Sequence, residues 1–264
     1  MSDAVRQLSA LVTAGLPVQK ARQIVEPQLA AMPARQLRQV ELIFDVCVQS
    51  GGPIAVSLDR LANVLTHQAK NQQQAQVAVA APRATAKLVM ALPPLALLAA
   101  QLLGMNAFRA IFTTPVAFAA VVIGGALLYG GRLWSNSMLL RATPTHNDAG
   151  AFLDAVAVAL IAGLNVQQSV HIATKSYELH FETVDEISLA ELQKVVDLSA
   201  QSGAAIAPLL LATADRLREI QNNVTANVLA KLSVRLMIPL GVAVLPAFVL
   251  MSIVPIAVSL LTNQ

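Results

Sequence analysis

Ala14-Gly15-Leu16-Pro17-Val18-Gln19, followed by Gln49-Ser50-Gly51, recurs as Ala162-Gly163-Leu164-Asn165-Val166-Gln167, followed by Gln201-Ser202-Gly203. From Gly15 to Gly51 is 36 positions and from Gly163 to Gly203 is 40, so the spacing is held while most side chains differ. A glycine that follows apolar residues at three- and four-residue spacing marks a helix end needing a left-handed backbone. Gly15, Gly51, Gly163 and Gly203 are therefore expected to be turns of one helical unit present twice. Aligned on the two Gln-Ser-Gly triplets, Ile54 meets Ile206, Ala55 meets Ala207, Leu58 meets Leu210, Ala62 meets Ala214 and Leu65 meets Leu217. Five matches without a gap argue for internal duplication.

Working outward, each copy reads as four helices. In the first, Leu8, Leu11 and Val12 precede Gly15, and Pro17 opens a second helix that Pro27 and Pro33 end. A third helix covers 34–49 with Leu37, Val40, Ile43 and Phe44 inward, and a fourth starts near Ile54 and continues through the polar stretch 67–76 towards Pro82. In the second, Asp148 is placed to cap a helix ending at Gly163, and further helices cover about 166–176 and 189–201. A long fourth helix from Ile206 turns Leu209, Leu210, Thr213, Leu217 and Ile220 inward and Asp215, Arg216, Arg218 and Glu219 outward. Val and Ile never alternate with polar residues as a strand requires, so the expected class is all-α.

Of the 264 residues 56% are hydrophobic and only 12% charged, a composition that points to a bilayer. Three runs, 88–104, 110–131 and 236–261, contain no Asp, Glu, Lys or Arg apart from their flanks. At about 1.5 Å per residue each approaches the roughly 30 Å hydrocarbon thickness, and three transmembrane helices are expected. The first run is the shortest and holds Pro93 and Pro94, which leaves a buried core helix as its other reading. The expected organisation is a cytoplasmic helical unit (1–87), a transmembrane hairpin turning at 105–109 (88–131), a second cytoplasmic unit (132–235), and a C-terminal transmembrane helix with a short tail (236–264).

Charged flanks orient these runs. Arg83 and Lys87 precede the first, Arg132 and Arg141 follow the second, and Lys231 and Arg235 precede the third, with Arg109 dissenting. Both helical units are thus expected in the cytoplasm and the C-terminus outside, with Tyr129 and Trp134 as anchors at the membrane interface. The formal charge of +3 hides nine Lys or Arg against five Asp or Glu in 1–87 and eight against ten in 132–235. Residues 1–6 lack a basic segment followed by an apolar stretch, so no cleaved signal peptide is expected. Cys47 is the sole cysteine, read as a core residue in a reducing compartment.

No catalytic arrangement emerges. His67, His146, His171 and His180 are scattered without metal-ligand spacing, and no phosphate-binding Gly-x-x-x-x-Gly-Lys motif occurs. Gly124-Gly125 and Gly130-Gly131 lie in an apolar run without basic neighbours and read as sites of close helix packing. Neither an enzyme, a metal, a cofactor nor a nucleic-acid partner is expected. The acidic stretch Glu178, Glu182, Asp185, Glu186 and Glu191 is either a solvated loop or a docking surface for a basic partner.

The repeated Ala-Gly-Leu-x-Val followed by Ser-Gly, together with Lys231-Leu232-Ser233-Val234-Arg235-Leu236-Met237-Ile238-Pro239-Leu240 and Leu245-Pro246-Ala247-Phe248, resembles the type II secretion system F family. Within that family the chain is most similar to the TadB and TadC components of tight-adherence (Flp) pilus machines. The likeness is strong over 149–255 and weaker over 5–87. It implies helical cytoplasmic bundles on membrane helices, acting in the bacterial inner membrane as a platform that couples a cytoplasmic secretion ATPase to pilin assembly. Membrane lipid, a related F-family subunit and homo- or hetero-oligomers are the other implied partners. The family's Gly-Glu-x-Ser-Gly element is altered, with Val48 and Ala200 at the glutamate position, so no role of that glutamate carries over. The candidate docking residues are Glu182, Asp185, Glu186, Glu191, Arg216, Arg218 and Glu219. A small transporter or channel component is the alternative, since transporters also use internal repeats.

Overall fold

The two Ala-Gly-Leu stretches close their helices in the same way. Gly15 has φ +91° and Gly163 has φ +93°. Gly15 N–H donates to Val12 O and Leu16 N–H to Leu11 O, and Gly163 N–H to Leu160 O and Leu164 N–H to Ala159 O, the paired bonds of a Schellman helix end. Gly51 (φ +70°) and Gly203 (φ +71°) end later helices, the first with both Gly51 and Gly52 N–H donating to Cys47 O and the second with Gly203 N–H donating to Ser199 O. These features come from a computed structural model, which describes residues 2–104, 107–142, 148–235 and 237–262.

The architecture is all-α, with no strand among the described residues. The order is α1 (Ser2–Thr13), α2 (Val18–Ala30), α3 (Ala34–Ser50), α4 (Ile54–Leu102), α5 (Ala107–Thr113), α6 (Pro115–Ala142), α7 (Ala151–Ile161), α8 (Val166–His180), α9 (Glu186–Ser202), α10 (Ile206–Arg235), α11 (Met237–Phe248), a π-helical turn (Val249–Ile253) and α12 (Val254–Thr262). Several boundaries differ from the sequence reading. Pro27 lies inside α2 rather than ending it, tolerable because only one helical bond is lost near the terminus. Helix α8 extends to His180 and α9 starts at Glu186, which shortens the acidic connection. The start of α9 is set by Asp185, whose carboxylate accepts from Ser188 N–H at 3.1 Å. Asp148 is not the cap of α7. Gly150 takes that position in a left-handed conformation, and Asp148 is drawn instead to Arg35.

The chain divides into two compact units, 1–73 with 145–224, and 74–144 with 225–264. In the first, helices from both copies of the motif share one core. Helix α7 is its centre, with every residue from Ala151 to Ala159 buried. Val5, Leu8, Val25, Leu42, Val46, Leu58 and Leu65 contribute from α1 to α4, and Tyr177, Leu192 and Leu210 from α8 to α10. Cys47 is buried among them, and burial pushes its thiol pKa up against a weaker lowering by Ser57. Ring contacts fix the α7–α8 seam. Phe152 meets Tyr177 edge-on at 5.8 Å, and Tyr177 stacks on Phe181 at 4.7 Å.

The second unit turns its large apolar side chains outward. Helix α6 packs on α11 and on the π-helical turn, and α5 on α12. A Cβ added to Gly124 would lie 3.1 Å from Met251 Cβ and 3.2 Å from Ala247 O, so this glycine admits the neighbouring backbone, as the small-residue reading expects. Gly125 and Gly130 face open space instead. Among the described residues two helices, not three, are long and apolar enough to cross a membrane: Pro115–Met138 and Gly241–Val258. The first apolar run is the end of α4, where the stretch Lys87–Leu102 is shorter, about 24 Å at 1.5 Å per residue. The second run is interrupted at Thr114, between α5 and the proline that opens α6. Of the expected turn at 105–109, residues 105–106 lie outside the described residues, and helix resumes at Ala107.

Gly150 offers a sharp test of this packing. At φ +77° it is already in the left-handed region, and an added Cβ would lie 2.7 Å from Ala214 O and 2.8 Å from Ala214 Cα, backbone atoms that cannot swing aside. Gly150→Ala should cost about 2–5 kcal/mol, the sum of left-handed strain and overpacking. Gly203→Ala, at φ +71° with open space around it, should cost only about 1–2 kcal/mol. Chemical unfolding of the two purified variants beside the parent measures the difference.

Candidate functional site

Helix α7 buries all its faces and yet carries Asp154, whose side chain is only 7% exposed. A carboxylate so placed needs charge-assisted hydrogen bonds. Arg60 of α4 supplies two, Nε at 3.3 Å and Nη2 at 3.1 Å, and Arg218 of α10 supplies a third to the other oxygen. Asp215 completes the cluster, accepting from Arg60 Nη2 at 3.0 Å and Arg218 Nη1 at 2.9 Å, while Arg60 also donates to Leu211 O at 3.1 Å. Burial works against the Arg60 charge, but the two carboxylates and their hydrogen bonds outweigh it and hold its pKa above the usual value.

Above this cluster lies a groove of about 590 Å³ between α4 and α10, within the size range of small-ligand and peptide clefts. The α4 wall presents Val56, Asp59, Arg60, Asn63, His67 and Asn71, residues spaced at helical intervals. Asp215, Arg218, Glu219 and Asn222 form the α10 wall, and Ala149 closes one side.

The candidate docking residues fall into three places. Glu182, Asp185 and Glu186 are exposed around the α8–α9 connection. Glu191 is folded down against the protein, its Oε1 accepting from Lys194 Nζ at 2.7 Å with Arg216 Nη2 at 3.9 Å from the other oxygen. The Lys194 hydrogen bond, opposed by burial and helped by the Lys194 and Arg216 charges, lowers its pKa. Arg216 remains exposed. Arg218 does not face out as its place in the sequence implied: its side chain is 13% exposed and its guanidinium is turned onto Asp154. Glu219 is exposed on the groove rim. Tyr129 and Trp134 are 65% and 45% exposed on α6, both inside the apolar stretch Pro115–Met138.

Sequence reasoning missed Arg60, Asp154 and Asp215 as a cluster. The available signal was Asp154 itself, the lone charge in the apolar run 149–161, which a buried helix could not leave unpaired. Other polar links join the two motif copies. Arg35 holds Asp148, with Nε at 2.6 Å, and that hydrogen bond raises the Arg35 pKa over the opposing effect of burial. Gln49 donates to Ser176 Oγ at 3.0 Å, and His180 Nε2 lies 2.5 Å from Asp45. Among the described residues no three His, Cys, Asp or Glu side chains are grouped to hold a metal. Comparisons of the chain with protein families, curated proteins and solved structures give no match.

Two outcomes follow. Asp154→Ala leaves two guanidiniums facing each other at a buried site and should destabilise the fold by about 3–5 kcal/mol, whereas Asp154→Leu combined with Arg218→Met should recover most of the loss; denaturant unfolding of both variants decides. Burial, with the Asp148 and Asp185 charges and against that of Arg35, pushes the Tyr177 phenol up to about 12. The neutral phenol is favoured by folding, so its contribution is full below about pH 10 and fades as pH rises towards 12. In a Tyr129→Phe variant the remaining phenolate absorbance should rise near pH 12 while the protein is folded.

Proposed function

We propose that this protein is a membrane platform subunit of the type II secretion F family kind, coupling a cytoplasmic ATPase to pilin assembly. The observation that carries the reading is the contrast between the two units. One has an apolar core stitched by ion pairs, as in a water-soluble helical domain. The other leaves Leu95, Leu102, Phe112, Val116, Leu245 and other large apolar side chains more than half exposed, a surface suited to lipid. The stretches Pro115–Met138 and Gly241–Val258 are only 22% and 28% buried, unlike core helices of soluble proteins. Flanking Lys and Arg support a cytoplasmic ion-paired unit with the C-terminus outside. Tyr129, Arg132 and Trp134 then lie near the cytoplasmic end of the first span, with α5 and the end of α4 packed at membrane depth.

Duplication supports the same reading. The order of four helices and the paired glycine conformations, +91° with +93° and +70° with +71°, fit two copies of one ancestral unit that now share a core. The exposed carboxylates Glu182, Asp185 and Glu186 are the docking surface for the ATPase, while Glu191 and Arg218 are held by internal partners and serve structure. A transporter reading is disfavoured because the two spans hold no Asp, Glu, Lys or His and a single Arg, Arg132, towards one end of the first.

Affinity purification of the tagged protein from its native host in gentle detergent is expected to recover a secretion-type ATPase, a related F-family chain or small pilins. Recovery of the protein alone under crosslinking overturns the platform reading in favour of the transporter. Glu182→Gln with Asp185→Asn and Glu186→Gln, which keeps the α9 cap by an isosteric side chain, should lower ATPase recovery several-fold at unchanged thermal stability. Undiminished recovery removes this surface as the docking site.

A further inference from the structure

The groove between α4 and α10 has a charge balance that its internal ion pairs do not close. Asp154 and Asp215 answer Arg60 and Arg218. Two further carboxylates remain, Asp59 on the α4 wall and Glu219 on the α10 wall, both exposed. Asp59 accepts only a long bond from Asn63 Nδ2 at 3.4 Å, and neither carboxylate has an ion pair among the described residues. Between them the walls carry the carboxamides of Asn71 and Asn222, groups that donate and accept and so match peptide N–H and C=O, whereas Asn63 accepts from Arg6 Nη2 at 3.3 Å, which sets one cation beside the α4 wall, and donates to Asp59. Val56 and Val64 add apolar contact suited to the aliphatic stem of a long cationic side chain.

We propose that this groove binds an extended, arginine- or lysine-bearing segment of a protein partner. The α4 wall from Val56 to Asn71 is about 22 Å long at 1.5 Å per residue, which an extended segment of about six or seven residues spans. Asp59 and Glu219 receive the cationic heads, and the carboxamides hold the backbone. The Arg60–Asp154–Arg218 cluster beneath serves as a largely pre-paired floor, in which Arg218 Nε is buried without a hydrogen-bond partner. The proposal rests on the platform reading only for the identity of the partner, and its binding chemistry stands independently of it.

The test uses the full chain in nanodiscs of zwitterionic lipid, titrated at low salt into a fluorescein-labelled, end-capped hexapeptide of alternating arginine and glycine, with binding read by anisotropy. Saturable binding is expected, lost on replacing arginine by glutamate and weakened at least about tenfold in Asp59→Asn with Glu219→Gln at unchanged unfolding midpoint. Glu26→Gln with Asp197→Asn, exposed carboxylates on α2 and α9 that do not line the groove, should bind the peptide like the parent. Full binding by the groove variant, or an equal loss in this control variant, overturns the assignment. Spermidine displacing the peptide at matching concentrations also overturns it, because the site would then take free polyamines. Failure to recover an ATPase from the host would leave the peptide result intact, so the two readings fail separately.

Discussion

A carboxylate inside a helix with no exposed face governs the arrangement of the first unit. Asp154 sits in α7 among Phe152, Leu153 and Val156, all buried, and its charge is sustained only if two arginines reach it from different helices. Arg60 comes from α4 and Arg218 from α10. Both helices must therefore cross α7 at matching height, which fixes where Leu58, Leu65 and Leu210 enter the core and opens the groove between their outer faces. The ion cluster and the groove are two sides of one packing solution.

The paired turns were legible from residue identity because a left-handed helix end selects glycine for a local reason, and local reasons survive in a sequence. Helix starts were harder. Asp148 had the chemistry of a cap, but a cap needs only a nearby N–H, whereas Arg35, 113 positions away, offers a bidentate partner. Periodicity placed Arg218 on the outer face of α10 because its neighbours Asp215, Arg216 and Glu219 are polar. No pattern within α10 records that Asp154 waits on another helix. The groove was invisible for the same reason, its α4 and α10 walls being more than 140 positions apart. Apolar length, read without knowledge of where helices break, also overcounted the candidate spans.

In the second unit the prolines and glycines sort into distinct tasks. Pro93 lies within α4, and its carbonyl accepts from the buried Ser252 Oγ at 3.0 Å, so a side chain from the C-terminal segment binds backbone in a proline-containing stretch. The π-helical turn Val249–Ile253 stands just before Pro255, whose missing N–H cannot continue the regular ladder. Gly124 meanwhile lets Ala247 and Met251 approach α6. Loose-looking composition thus corresponds to specific backbone contacts in this unit.

The first unit is discontinuous in the chain, with residues 74–144 inserted between its halves, and this orders events at the ribosome. When α1 to α3 have emerged, the α7 against which Val5, Val46 and their neighbours pack does not yet exist. At roughly 5–20 residues per second, the synthesis of more than seventy intervening residues keeps that apolar surface uncovered for several seconds. Those intervening residues include the first stretch long and apolar enough to cross a bilayer, so that stretch leaves the ribosome before the core of the ion-paired unit can close. The Arg60–Asp154 link is therefore a late event of biogenesis, and a nascent chain stalled before residue 154 would present chaperones with half a core.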